Sequence, residues 1–122
     1  MRDRLAEVRF EEVGVDTVIA AVTGEIDGSN AGEVQRAVAE HVPTTARSLV
    51  IDLSQTAYID STGVELLFEL ARRLSSRRQA FSVVVPHGSG VRRVLELCDI
   101  ASVGALVATR DEALTADGST QA

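Results

Sequence analysis

Leu49-Val50-Ile51-Asp52-Leu53, a link from Ser54 to Ile59, then Asp60-Ser61-Thr62-Gly63-Val64: the fold is decided between residues 49 and 64. Apart from Asp52 the first five residues are apolar and do not alternate, the pattern of a strand covered on both faces. Ser54-Gln55-Thr56-Ala57-Tyr58-Ile59 reads as a polar link. Beyond Gly63 the apolar period lengthens. Val64, Leu67, Ala71 and Leu74 share one helical stripe, with Leu66 and Leu70 beside it. A buried strand that passes into an amphipathic helix is the repeating unit of an α/β domain.

The flanks repeat that unit. Downstream, Phe81-Ser82-Val83-Val84-Val85 is a strand ended by Pro86. Gly88-Ser89-Gly90 opens a helix with Val91, Val94, Leu95 and Cys98 on its inner face. Upstream, Leu5 to Glu12 alternates like an edge strand, turns near Val13-Gly14-Val15-Asp16 and pairs with Val15 to Thr23. Gly24-Glu25-Ile26-Asp27-Gly28 ends that strand. Ser29 or Asn30 then caps a helix that buries Ala31, Val34, Ala37, Val38 and Val42 and stops at Pro43. Val103 to Val107 is a last strand, and Thr109 caps a short helix through Leu114. The order β-β-α-β-α-β-α-β-α predicts one α/β domain over residues 1–116. Its sheet is mixed and mostly parallel, with about five strands and about four helices. Residues 117–122 are small and polar and are expected to form a disordered tail.

Composition narrows the chemistry. The chain has 122 residues and a formal net charge of -6, and all twelve of its cationic side chains are arginine. Without lysine there is no Walker A lysine, Schiff-base lysine or kinase-type ATP lysine. The acidic balance argues against nucleic acid, which calls for a concentrated basic surface. Cys98 is the one cysteine, so neither an internal disulfide nor a cysteine-based metal site is expected. His41 and His87 lack zinc-motif spacing. No apolar run reaches the length of a membrane span, and Met1 to Glu7 leads into no hydrophobic h-region. A cytoplasmic location without direct membrane insertion is the expectation.

Asp60-Ser61-Thr62-Gly63 is the first candidate site, because it opens a helix immediately after the strand and link. Unsatisfied N–H groups and the positive end of the dipole meet there, so a phosphate added to Ser61 would find donors already aimed at it. Gly63 removes bulk beside the hydroxyls and would allow another protein to approach closely. On spacing alone, Asp60 or Ser61 serves equally well as a simple helix cap. Gly24 to Asn30 also follows a strand and starts a helix, which places it at the same sheet edge. Read in isolation it is a turn and cap. Gly88-Ser89-Gly90 with Arg92 and Arg93 lacks a full dinucleotide fingerprint and reads as a turn. Asp60 beside Ser61 has no positioned base, so hydrolase chemistry is not expected.

Together these segments resemble a known family. Gly24-Glu25-Ile26-Asp27 with Asn30-Ala31 is similar to its first signature. Val50-Ile51-Asp52-Leu53-Ser54 followed by Tyr58-Ile59-Asp60-Ser61-Thr62-Gly63-Val64 is similar to its second. Both resemble the STAS domains of bacterial anti-sigma-factor antagonists, over roughly residues 13 to 116. The resemblance implies a regulatory binding protein, not an enzyme. An anti-sigma-factor serine kinase binds it, phosphorylates Ser61 (Thr62 being the lesser acceptor) and lets it go; a phosphatase resets it. ATP and magnesium then belong to the kinase, and no cofactor is expected on this chain. The partner-binding residues implied are Asp27, Ser29, Asn30, Asp60, Ser61, Thr62, Gly63 and Glu65. The alternative within the same fold is a STAS subunit of a stress-signalling scaffold or of a lipid-transporter ATPase complex. The sequence departs from the family pattern at Glu65, where a small residue is usual, and at Asp99-Ile100, where relatives often carry Gly-Leu.

Overall fold

Residues 6–116 are described by the computed structural model. The expected tail at 117–122 and most of the N-terminal segment lie outside them. The elements run β1 (Glu7–Val13), β2 (Thr17–Ile26), α1 (Ala31–His41), β3 (Ser48–Asp52), β4 (Thr56–Ile59), α2 (Ser61–Ser76) and β5 (Ala80–Val84). They continue with α3 (Gly90–Leu97), a short 3-10 turn (Ile100–Ser102), β6 (Ala105–Val107) and α4 (Arg110–Ala116). β1 and β2 form an antiparallel hairpin, and the sheet continues β2-β3-β5-β6 in parallel. The α/β class and the mostly parallel mixed sheet are those expected from sequence.

β3, the first half of β2 and most of β5 are buried on both faces because helices cover both. On one side Val18, Ala20 and Val22 of β2 and Leu49 and Ile51 of β3 pack with Val34 and Val38 of α1. Leu67, Leu70 and Leu74 of α2 and Val91 and Leu95 of α3 complete that core. On the other side Ile19 and its register partner Val50 cluster with Val84 of β5 and Ala113 of α4. Hence β3 shows no alternation.

Two sequence expectations are corrected. The link after β3 contains a sixth strand, β4, which pairs in parallel with the far half of β2. It buries only Thr56 and Ile59 and exposes Ala57 and Tyr58, so it has neither a period-2 pattern nor an apolar run. Its anchor is polar: Thr56 Oγ1 donates to the Val22 carbonyl at 2.7 Å. β2 in turn runs on to Ile26 rather than ending at Gly24. Gly24, at φ +104°, lies where the register shifts, a bulge that a side chain would resist. The second correction is Cys98, which is exposed. α3 ends at Leu97, so Cys98 turns outward as the C-cap, and Ile100 fills the core instead.

Candidate functional site

The bulge and the sixth strand bring two loops together. β2 and β4 end side by side at Ile26 and Ile59, so the segments 27–30 and 60–63 leave the sheet as neighbours. Asp60 ties them. Its N–H donates to the Ile26 carbonyl at 3.1 Å. One carboxylate oxygen caps α2 by accepting from Gly63 N–H at 3.0 Å, and the other accepts from Gly28 N–H at 3.3 Å. Asp27 shapes the first loop: its Oδ1 accepts from Ser29 N–H at 2.9 Å and from Ser29 Oγ at 2.6 Å. Its carbonyl accepts from Ala31 N–H at 2.8 Å.

With Asp60 as the cap, Ser61 becomes the first helical residue and is exposed. Its hydroxyl takes no hydrogen bond among the described residues, and neither do the N–H groups of Ser61 and Thr62. The ambiguity between Asp60 and Ser61 as cap is therefore resolved for Asp60, which leaves a free hydroxyl beside two free donors at the positive end of a 16-residue helix. Thr62 is half-buried and faces Gly28, whose position would bring a Cβ within 3.7 Å of Thr62 Oγ1. Removing the cap has a defined cost. Asp60→Ala is expected to lose about 1 kcal/mol, read as a thermal midpoint lower by about 4 °C, together with faster hydrogen exchange at Gly28 and Gly63.

Two of the implied partner-binding residues serve the inside instead. Asn30 is 3% exposed. Its Oδ1 accepts from Asp27 N–H at 3.0 Å and its Nδ2 donates to the Glu25 carbonyl at 2.8 Å, so it staples the loop and does not cap α1 with its side chain. Gly63 is also buried. A Cβ there would lie 2.5 Å from Ile59 Cγ1 and 3.1 Å from the Ile26 carbonyl oxygen. The missing side chain lets α2 sit down on the ends of β2 and β4. Ser29, Ser61 and Glu65 are exposed at the same edge.

A family model for the STAS domain matches residues 9–113. The chain belongs to the STAS family. The anti-sigma-F factor antagonist RsfB of Mycobacterium tuberculosis H37Rv is 31% identical over 97 residues, spanning 80% of this chain and 78% of that protein. The crystal structure of an anti-sigma factor antagonist from Mycobacterium paratuberculosis superposes with a TM-score of 0.80 at 29% identity, covering 91% of this chain and 92% of that one. The phosphorylated form of the Bacillus cell fate determinant SpoIIAA reaches 0.64 at 18% identity, covering 90% and 98% of the two chains. At that identity the likeness speaks for the fold alone.

Within this STAS domain, both departures from the family pattern acquire a place. Glu65 stands one turn after Ser61 on α2, exposed and without a hydrogen bond or ion pair among the described residues. Asp99 adopts φ +61°, in the left-handed region, at the position where the family resemblance implies glycine. Aspartate tolerates that region better than most residues, yet glycine enters it freely. Asp99→Gly is therefore expected to stabilise the domain by about 0.5–1 kcal/mol, measured as a higher denaturant midpoint at unchanged slope.

The sequence reading missed a charge cluster. Asp52 ends β3 with its side chain 6% exposed, and Arg110 Nε, at the start of α4, donates to its Oδ2 at 2.7 Å. Arg110 also reaches Glu11 of β1 at 2.8 Å. The other Asp52 oxygen accepts from Ser54 N–H at 2.9 Å and fixes the kink between β3 and β4. Burial pushes the Asp52 carboxyl up, but the hydrogen bonds from Arg110 and Ser54 and the arginine charge outweigh it and hold it below the usual value. The signal was present: a carboxylate inside an apolar strand requires a cation. Among the described residues no helix is long and apolar enough to cross a membrane, and no cluster of three or more His, Cys, Asp or Glu is placed to hold a metal ion.

Proposed function

We propose that the protein is an anti-sigma-factor antagonist in the cytoplasm, switched by phosphorylation of Ser61. Its unmodified form binds an anti-sigma-factor serine kinase and releases the sigma factor. The kinase, which carries the ATP and magnesium, phosphorylates Ser61 and dissociates; a phosphatase restores the free hydroxyl. The observation that carries this reading is the division of labour between Asp60 and Ser61. Because Asp60 caps α2, Ser61 can be modified without undoing the helix start. The phosphate would add about -2 charge beside Asp60 and Glu65, and burying it in an interface costs several kcal/mol unless it is paired. Tenfold in affinity needs about 1.4 kcal/mol, so one phosphate suffices to reverse binding. Thr62, half-buried against Gly28, is the poorer acceptor.

The test is capture from native lysate with tagged wild-type protein, with and without ATP, followed by intact-mass analysis of the bait. Capture of a histidine-kinase-like ATPase without ATP, and its release with one added phosphate on Ser61, is the expected result. An unmodified bait that retains transporter or scaffold subunits would overturn the reading.

A further inference from the structure

α1 and α2 leave a channel between them that begins at the switch. Thr62 lines its upper end, Leu66 and the half-buried Phe68 its floor, and Gly32 and Glu65 its two rims. Gly32 is unlike Gly63. It is exposed on a regular helix, and a Cβ built on it would meet nothing within 4 Å. Alanine would fit that position and favour the helix, because glycine loses more backbone freedom on ordering. Among the described residues no contact accounts for the missing side chain. The opposite rim carries the carboxylate of Glu65, which has no ion pair among the described residues, whereas the neighbouring Glu69 is held by Arg72.

The geometry points to this channel as the seat of a segment of the anti-sigma-factor kinase. That segment presents a small apolar face to Phe68 and an arginine or lysine to Glu65. This rests on the function proposed above. Continuity selects the occupant: Thr62 belongs to both the channel and the phosphorylation loop, so a kinase that reaches the Ser61 hydroxyl overlies the channel's upper end. Charge selects the chemistry, since among the described residues the one side-chain charge on the lining without an ion pair is that of Glu65, which is negative. Gly32 selects the closeness, because it lets the visiting backbone lie against α1. Glu65 and Gly32 thereby become determinants of which kinase fits.

The experiment compares wild type, Gly32→Ala, Gly32→Gln, Glu65→Gln and Glu65→Arg. Each is tested for affinity to the kinase captured by the wild-type bait, rate of Ser61 phosphorylation and thermal midpoint. Both Gly32 variants should keep or raise the midpoint, since alanine and glutamine are better helix formers. Gly32→Gln should weaken binding by about tenfold or more, and Gly32→Ala by less. Glu65→Arg should weaken it by about tenfold or more, and Glu65→Gln by less while flattening the dependence of affinity on salt. Gly32→Gln and Glu65→Arg proteins that bind within about twofold of wild type would overturn the channel and leave the switch standing. A wild-type protein that binds no kinase and acquires no phosphate would overturn the switch and the channel's occupant together.

Discussion

Ser61→Ala is expected to stay on its kinase in the presence of ATP, whereas wild type is released by at least about 100-fold, or about 2.7 kcal/mol. Alanine removes only a hydroxyl that forms no hydrogen bond among the described residues, and the cap by Asp60 remains. The variant should therefore fold like wild type and bind the kinase as tightly when ATP is absent. Ser61→Asp should bind poorly with or without ATP. Its loss should be smaller than that caused by phosphate, because a carboxylate carries one negative charge instead of about two. Thr62→Ala should still gain one phosphate by intact mass and still be released. Equal retention of Ser61→Ala and wild type under ATP would sink the switch; phosphorylation of Ser61→Ala would move it to Thr62.

The parts legible in the sequence were those with strong periodicity or a fixed place relative to a strand. β3, α2 and β5 announce themselves through apolar runs and helical stripes, and the loop at Ser61 through its position just before such a stripe. β4 was not legible. It is a strand by virtue of where β2 continues, and β2 continues because Gly24 allows a bulge; neither fact leaves a pattern in residues 54–59. Roles that depend on which side of a backbone is covered were misread for the same reason. Asn30 and Gly63 stand in motif positions that imply a partner, yet both are buried, because the loops after β2 and β4 pack on each other. The pairing of Asp52 with Arg110 spans 58 positions and needs the tertiary fold to be seen.

That pairing gives the largest expected effect on stability. Arg110→Met keeps much of the aliphatic stem but leaves the Asp52 carboxylate buried without its cation. Breaking a fully buried pair costs about 3–5 kcal/mol. Arg110 keeps 38% of its side chain exposed, so water reaches the pair from one side. The expected loss at neutral pH is therefore nearer about 2–3 kcal/mol, discounted for that solvent screening. The pH dependence separates this cause from lost packing. In wild type the folded Asp52 carboxyl lies below its unfolded value near 3.8. Its contribution is thus fully present above that value and is lost as pH falls through the lower folded one. In Arg110→Met the arginine's lowering influence is gone while burial and the Ser54 hydrogen bonds remain, so the folded carboxyl rises toward its unfolded value. The variant then lacks the stabilisation that this group gives wild type above the unfolded value. As pH falls below 3.8 and through the lower folded value of wild type, Asp52 becomes protonated in both proteins and the stability curves should converge. Denaturant midpoints measured between about pH 7 and about pH 2 decide the matter. A difference that stays constant across that range would mean that Arg110 holds α4 by contact alone, and that the charge on Asp52 contributes nothing to keeping the helix on the sheet.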